Sequence, residues 1–395
     1  MINLKIVISA LALSALAASA PTLGRSFSIN QVPINVSRVH PAAEYARVYL
    51  RHGVNVPHHV ALAARSPHAD SVPAYPYPHD VLYRSPVKVG NDILLLALDT
   101  SSADLWVKTK FSPRAGTHVY DQSTGTLLPY HHWQIRYSDG GIAGGDVYKD
   151  IVKIGDITSY EQGVETLLYL HTSHSLLTDG LDGVVGLAFP SLNTVLPTPQ
   201  GTFYENVKLN LLTPVFAASL KHHAPGSFDF GFIDHTKHTG GILYKHVDPT
   251  RGYWNISCDG YAIGGGAITF DEPFYAVIDT TGSLVLLKES IVNMYYGNIR
   301  SAFYSLEHGG WIFDCHDLIP SFSVRLGNYK ITIPGPYLKY TEIPGTPLCY
   351  GGLQKSPHDD YGILGVMLLK TQYVIFDARR GRPPRVGFSK QRPPV

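Results

Sequence analysis

Two aspartates stand in matched settings along the chain. The apolar run Ile93–Leu98 leads into Asp99-Thr100, and Tyr275–Ile278 leads into Asp279-Thr280. Further on, each pair is followed by two apolar residues and a glycine, Val184-Val185-Gly186 and Ile363-Leu364-Gly365. The glycine falls 87 residues after Asp99 and 86 after Asp279. The same unit therefore recurs 180 residues apart, and a marker repeated at matched spacing is a stronger signal than either copy alone. Two equivalent lobes would face each other, each bringing one aspartate to the seam. Like charges a few ångströms apart do not both ionise cheaply, so such a pair shares a proton. One member is then a base and the other an acid.

The elements that must position these carboxylates are strands. Gly (37), Pro (28) and Tyr (25) are plentiful and Met is down to 3, the composition of a turn-rich β protein rather than a helical bundle. A length of 395 residues suits two domains of middling size. With 32 Lys+Arg against 31 Asp+Glu and no long block of one sign, nothing points to nucleic acid.

Asp99-Thr-Ser-Ser-Ala-Asp-Leu-Trp-Val107 and Ile278-Asp-Thr-Thr-Gly-Ser-Leu-Val-Leu-Leu287 resemble the two active-site segments of pepsin-like aspartic endopeptidases, most closely the secreted fungal type. The resemblance extends through Gly183–Phe189, Gly226–Ile233 and Cys349–Gly352 to Val386–Phe388, nearly the whole chain. It implies an all-β, bilobal fold with a pseudo-two-fold cleft. It also implies peptide hydrolysis by a water activated between Asp99 and Asp279, with no metal and no cofactor. Which aspartate holds the proton is not legible. By the same resemblance Thr100 and Thr280 bond across the lobe interface and Ser102 bonds to Asp99. Trp133–Gly140 is the flap over the cleft, with Tyr137 steadied by Trp106, and Asp139 admits a basic side chain to the first specificity pocket. Ser101 and Thr281 line the floor where substrate lies. Cys315 and Cys349 form the family's bridge, and Cys258 is left as a buried thiol or a site of intermolecular bonding.

The pattern departs from the family's Asp-Thr-Gly at both sites, because Ser101 and Thr281 replace glycines. Thr281 is the graver change, a stiff β-branched side chain at the cleft floor. Gly282 stands where a hydroxyl residue would support Asp279, Ser138 replaces a flap glycine, and Val366 replaces an acidic residue. Two readings follow, a peptidase of reduced or altered activity and a pseudo-peptidase holding a peptide or small molecule in the cleft.

The N-terminal part has its own character. Lys5 precedes an apolar run, Ile6–Ala20, closed by small residues, the layout of a secretory signal peptide over residues 1–20. Residues 21–80 hold five Arg, three acidic residues and no Lys. Pro41–Leu50 reads as a helix with Pro at its start, followed by a Pro- and Ala-rich linker to about Pro78. This stretch is either a flexible extension or a pro-segment, over residues 21–70, whose arginines lie over an acidic site. The lobes then occupy 71–248, with the flap, and 249–395. The expected protein is secreted and monomeric, acts on polypeptide, has its own pro-segment as partner, and engages neither nucleic acid nor membrane. Asn255-Ile256-Ser257 is a glycosylation sequon on that route. The histidine pairs (His58-His59, His131-His132, His222-His223) lack metal-site spacing and read as solvated.

Overall fold

The computed structural model describes residues 24–35, 41–64, 80–113, 115–136, 142–171, 181–222 and 224–392. The signal-peptide reading, the end of the linker and the flap residues Tyr137, Ser138 and Asp139 lie outside them.

The strand Asp92–Asp99 lies in a ten-stranded sheet, between the antiparallel strand Asp80–Val89 and the parallel strand Gly183–Gly186. Its later counterpart Phe274–Ile278 lies in a five-stranded sheet, parallel to Tyr361–Leu364. The two marker glycines gain a physical reason here. A Cβ at Gly186 would stand 2.6 Å from backbone atoms of Ser102 and Ala103, and one at Gly365 would stand 2.2 Å from the Gly282 and Leu284 carbonyl oxygens. Only a residue without a side chain lets each aspartate loop fold back this closely over the strand beside it.

A six-stranded sheet joins the halves. It orders Phe27–Asn30, Ala224–Phe230, Val215–Lys221, Gln372–Asp377, Arg385–Gln391 and His238–His246, so strands from both ends of the chain share one ladder. Its inner face is aromatic. Phe27 stacks on Phe230 (5.0 Å between centroids), Phe216 on Phe376 (4.5 Å), and Trp254 meets Phe376 edge-on (5.2 Å). Two further four-stranded sheets complete the C-terminal half, where Cys315 and Cys349 are bridged. Cys258 is a buried free thiol, which settles that alternative.

Helix α1 spans Pro41–Arg51 and α2 spans His58–Ala64. The first is where the sequence placed it. The second corrects the linker reading, in which seven residues of His, Ala, Val and Leu passed for spacer. Helix α1 begins on Pro41, whose fixed φ suits the first helical position, carries Glu44 in its first turn and Arg51 in its last, and closes at Gly53 (φ 67°). Pro41 to Leu50 are all buried. A helix lying on a surface keeps one face in water, so one buried all round is a wedge. On one side Leu50 packs with Trp133, Val147, Leu167 and Val195, and on the other the Tyr45 hydroxyl donates to the Lys355 carbonyl at 2.7 Å. The wedge thus touches both halves, and this stretch is docked rather than free.

Asn255 differs from its expectation. It lies on the strand Asn255–Cys258, paired with Phe274–Ile278, and is 3% exposed. Its amide is covered by the sheet, so the folded chain offers no glycan acceptor there.

Candidate active site

Asp99 ends its strand and Asp279 directly follows its own at the seam, 4% and 0% exposed. Between them lies a reciprocal grip. The Thr100 hydroxyl donates to the Ile278 carbonyl (2.7 Å) and accepts from the Thr280 N–H (3.1 Å). The Thr280 hydroxyl donates to the Leu98 carbonyl (2.7 Å) and accepts from the Thr100 N–H (3.1 Å). Four hydrogen bonds in this buried place tie each lobe to the backbone of the other's aspartate loop, which fixes how the two carboxylates face.

The carboxylates are held unequally. Asp99 Oδ1 accepts from the Ser101 N–H (2.8 Å) and hydroxyl (2.7 Å), and its Oδ2 accepts from the Ser102 hydroxyl (2.7 Å). Asp279 Oδ1 accepts from the N–H groups of Thr281 (2.9 Å) and Gly282 (2.8 Å). One hydroxyl connects the pair. Thr281 Oγ1 lies 2.9 Å from Asp99 Oδ1 and 3.0 Å from Asp279 Oδ1. The Thr281 hydroxyl thus links one oxygen of each carboxylate. Asp-Thr-Ser and Asp-Thr-Thr had marked Ser101 and Thr281 as floor residues beneath a substrate. The structure instead turns both hydroxyls onto the carboxylates.

This arrangement, two aspartates on mirrored strand ends gripped by exchanged threonines, has a counterpart in known sequences. Residues 82–391 match the family model described as eukaryotic aspartyl protease. The chain belongs to that family. Among its members, this aspartyl protease is 44% identical to penicillopepsin-1 of Talaromyces stipitatus over 394 residues, covering 99% of this chain and 100% of that one. It is 42% identical to aspergillopepsin-1 of Aspergillus clavatus and 41% identical to penicillopepsin-3 of Penicillium janthinellum, covering 96% of this chain in both and 96% and 97% of those relatives.

The remaining oxygen of the aspartyl protease pair, Asp279 Oδ2, is taken by Arg51 at the end of α1. Its Nη2 donates there at 2.7 Å, and its Nη1 donates to Thr281 Oγ1. Burial works against the guanidinium's charge, but the carboxylates of Asp279 and Asp99 more than offset it and raise its pKa. Gly282 makes this possible. A Cβ there would stand 2.4 Å from Asp279 Oδ2 and 2.9 Å from Arg51 Nη2. So Arg51 does for Asp279 Oδ2 what the Ser102 hydroxyl does for Asp99 Oδ2. The residues had suggested arginines over an acidic site without indicating which.

Behind the site, the half-buried Trp106 stacks parallel to Trp133 at 6.4 Å. The expected Trp106–Tyr137 contact and the role of Asp139 fall on residues outside those described. The strand Leu105–Lys108 runs alongside a pair that sequence reading missed. Asp104 (3% exposed) and Glu165 (0%) share the Asn193 amide, whose Nδ2 is 2.9 Å from a carboxyl oxygen of each. Burial raises both, Asp104 to about 6, with Thr194 opposing, and Glu165 well above its ordinary value. A second neighbour was also missed. His52 is buried against Tyr253, His358 and Tyr361 at 5.5, 5.6 and 6.2 Å between centroids, and neither ring nitrogen has a hydrogen-bond partner among the described residues. Its position next to Arg51 was the available signal. Among the described residues no group of His, Cys, Asp or Glu is placed to hold a metal, and no helix is long and apolar enough to cross a membrane.

Proposed function

We propose that this aspartic endopeptidase is exported and held latent by its own N-terminal stretch, with α1 seated in the cleft until acid releases it. The observation that carries the reading is the Arg51 contact. A guanidinium bonded to Asp279 and to the hydroxyl bridging the pair occupies the ground a scissile peptide must take. Once the stretch has left, polypeptide enters between the lobes. The ionised carboxylate takes a proton from the attacking oxygen, the protonated one hydrogen-bonds the carbonyl oxygen, and water ends on the acyl fragment. Export is supported by the apolar run Ile6–Ala20 and by the Cys315–Cys349 bridge, which suits an oxidising compartment. Tyr137 and Asp139, on the flap, are assigned by resemblance to closing over substrate and to admitting a basic side chain. The enzyme works as a monomer, each chain supplying both aspartates.

The test is cleavage of denatured globin by the secreted full chain, acidified and then assayed from acid to neutral pH with and without pepstatin. The reading expects loss of residues up to about 70, followed by pepstatin-sensitive cleavage. Correctly shortened protein that gains thermal stability from pepstatin but turns nothing over would overturn the peptidase reading in favour of a cleft that only binds.

A further inference from the structure

Away from the cleft, residues 234–238 form a turn, the Lys237 N–H donating to the Asp234 carbonyl at 3.1 Å, and hold two histidines against each other. His235 Nδ1 lies 3.0 Å from His238 Nε2. His235 is exposed, whereas His238 is buried, stacked on Tyr373 at 5.4 Å, with its Nδ1 3.0 Å from Ser389 Oγ. Hydrogen counting places the protons. Ser389 gives its only hydroxyl proton to the Thr239 carbonyl (3.0 Å), so it accepts from His238 Nδ1–H. His238 Nε2 is then the acceptor and His235 Nδ1–H the donor, and the pair is matched while both rings are neutral. A first added proton is absorbed when His235 moves its own to Nε2. A second sets two N–H groups and two charges against each other. The charged groups around the pair are Asp234 and Lys237 on the same turn, Arg392, whose Nε donates to the His238 carbonyl at 3.0 Å, and Asp229 behind Tyr373. Burial, then His235 and Arg392, push the His238 pKa down, with Asp234 opposing.

Lys237, on that turn, reaches the N-terminal stretch. Its ammonium donates to Ser28 Oγ (3.1 Å) on the edge strand Phe27–Asn30, to Ser227 Oγ (2.9 Å) and to the wholly buried Asp229. Ser28 in turn donates to Asp229 Oδ1 at 2.6 Å. The Tyr373 hydroxyl, whose ring carries His238, donates to Asp229 Oδ2 at 2.8 Å. The histidine pair and the anchor of the strand therefore share one turn and one tyrosine. We infer that His235 and His238 form an acid-sensitive latch on the strand Phe27–Asn30, in which charging both rings opens the turn and withdraws Lys237 from Ser28. The inference rests on the latency reading above and concerns how the attachment at the six-stranded sheet, rather than the one in the cleft, answers to acid. An opened turn lets His238 take its proton near the ordinary 6.5, so the closed turn is favoured in full above that pH and progressively less below it.

The experiment is hydrogen–deuterium exchange on the full chain carrying Asp99→Asn, which removes self-cleavage, pulsed from pH 7 to pH 4 and corrected for the intrinsic exchange rate at each pH. Between about pH 6.5 and 4.5 the protection of the Phe27–Asn30 amides should fall about tenfold or more, and about twofold or less once His235→Ala, alone or with His238→Phe, is added. His235 is exposed, so His235→Ala should keep the parent's melting temperature at pH 7, and the comparison does not depend on the double variant folding. With Ser28→Ala, which leaves Lys237 no hydroxyl on the strand, protection should start lower and show the same flattened profile. An equal fall in the parent and the histidine variants would overturn the latch. A fall that Ser28→Ala leaves as steep as the parent's would overturn it too, since Lys237 would not be the link. Protection of both Phe27–Asn30 and α1 that persists to pH 4 in the parent would overturn the latch and the acid-release reading together.

Discussion

Gly282 and Thr281 differ from their counterparts Ser102 and Ser101, and both differences meet at Arg51. Where the first lobe puts a serine hydroxyl on Asp99 Oδ2, the second leaves space, and a guanidinium fills it. Replacing Gly282 by Ser puts a Cβ 2.4 Å from Asp279 Oδ2 and crowds Arg51 Nη2. The docked stretch should weaken by about 1–3 kcal/mol, so release, followed by gel mobility as acid is added, should begin at a less acid pH. Unchanged release would show that Arg51 is not what seats the helix. At this scale the sequence was legible in part. The aspartates follow from residue type and repeated spacing, whereas the roles of Thr100, Thr280 and Ser102 came only with the family resemblance, the threonine grip joining loops far apart in sequence. The bridging position of Thr281 depends on two loops 180 residues apart, so the sequence showed a misplaced bulk where the structure has a hydrogen-bonding group. Asn255 failed for the same reason, because a sequon carries no sign of which strand will cover it.

Helix α1 was legible because Pro41, Glu44 and Arg51 fall where helix ends want them, whereas what it packs against was not. Next to Arg51, the His52 pKa is pushed down to about 3, first by burial and then by the neighbouring charges of Arg51 and His358, with Asp99 opposing. Tyr253 and Tyr361 complete its surroundings. The docked form therefore keeps this imidazole neutral, while an undocked His52 would titrate near 6.5. Between these values only the free form gains a proton, so acidification shifts the balance toward release by about 1.4 kcal/mol per pH unit. Below about 3 the effect levels off. In His52→Phe this dependence should flatten across that window, as read by the pH at which half the protein has released its stretch after a fixed time. An unaltered profile would remove His52 from the response.

For the molecule as a whole, the charge balance divides. Residues 1–80 carry Lys5 and five Arg against three acidic residues, six minus three, or +3. Subtraction leaves 26 Lys+Arg against 28 Asp+Glu, or −2, for the remainder. The basic share lies in the N-terminal part. What remains has a further reason to favour acid in Asp104 and Glu165, two buried carboxyls on one amide. Their folded pKa values are raised above the unfolded ones, so their stabilisation is full below the unfolded values near 4. It is lost as pH rises through about 6 for Asp104 and further for Glu165. The urea midpoint should therefore fall as a matured sample is taken from acid to neutral pH. In Glu165→Gln the fall should be smaller, because one buried ionisation is removed. An equal fall in both proteins would place the pH dependence elsewhere.

The N-terminal stretch is fastened by two strands, Phe27–Asn30 on the edge of the six-stranded sheet and Val32–Asn35 against Asp80–Val89, and by α1 in the cleft. Joined by one chain, each half raises the effective concentration of the other at its site, and the pair binds more firmly than either half alone. A single cut between Asn35 and Pro41 parts the two strands from α1 and ends that avidity. Each fragment is then held only by its own contacts, so one proteolytic event there should make the proposed release hard to reverse.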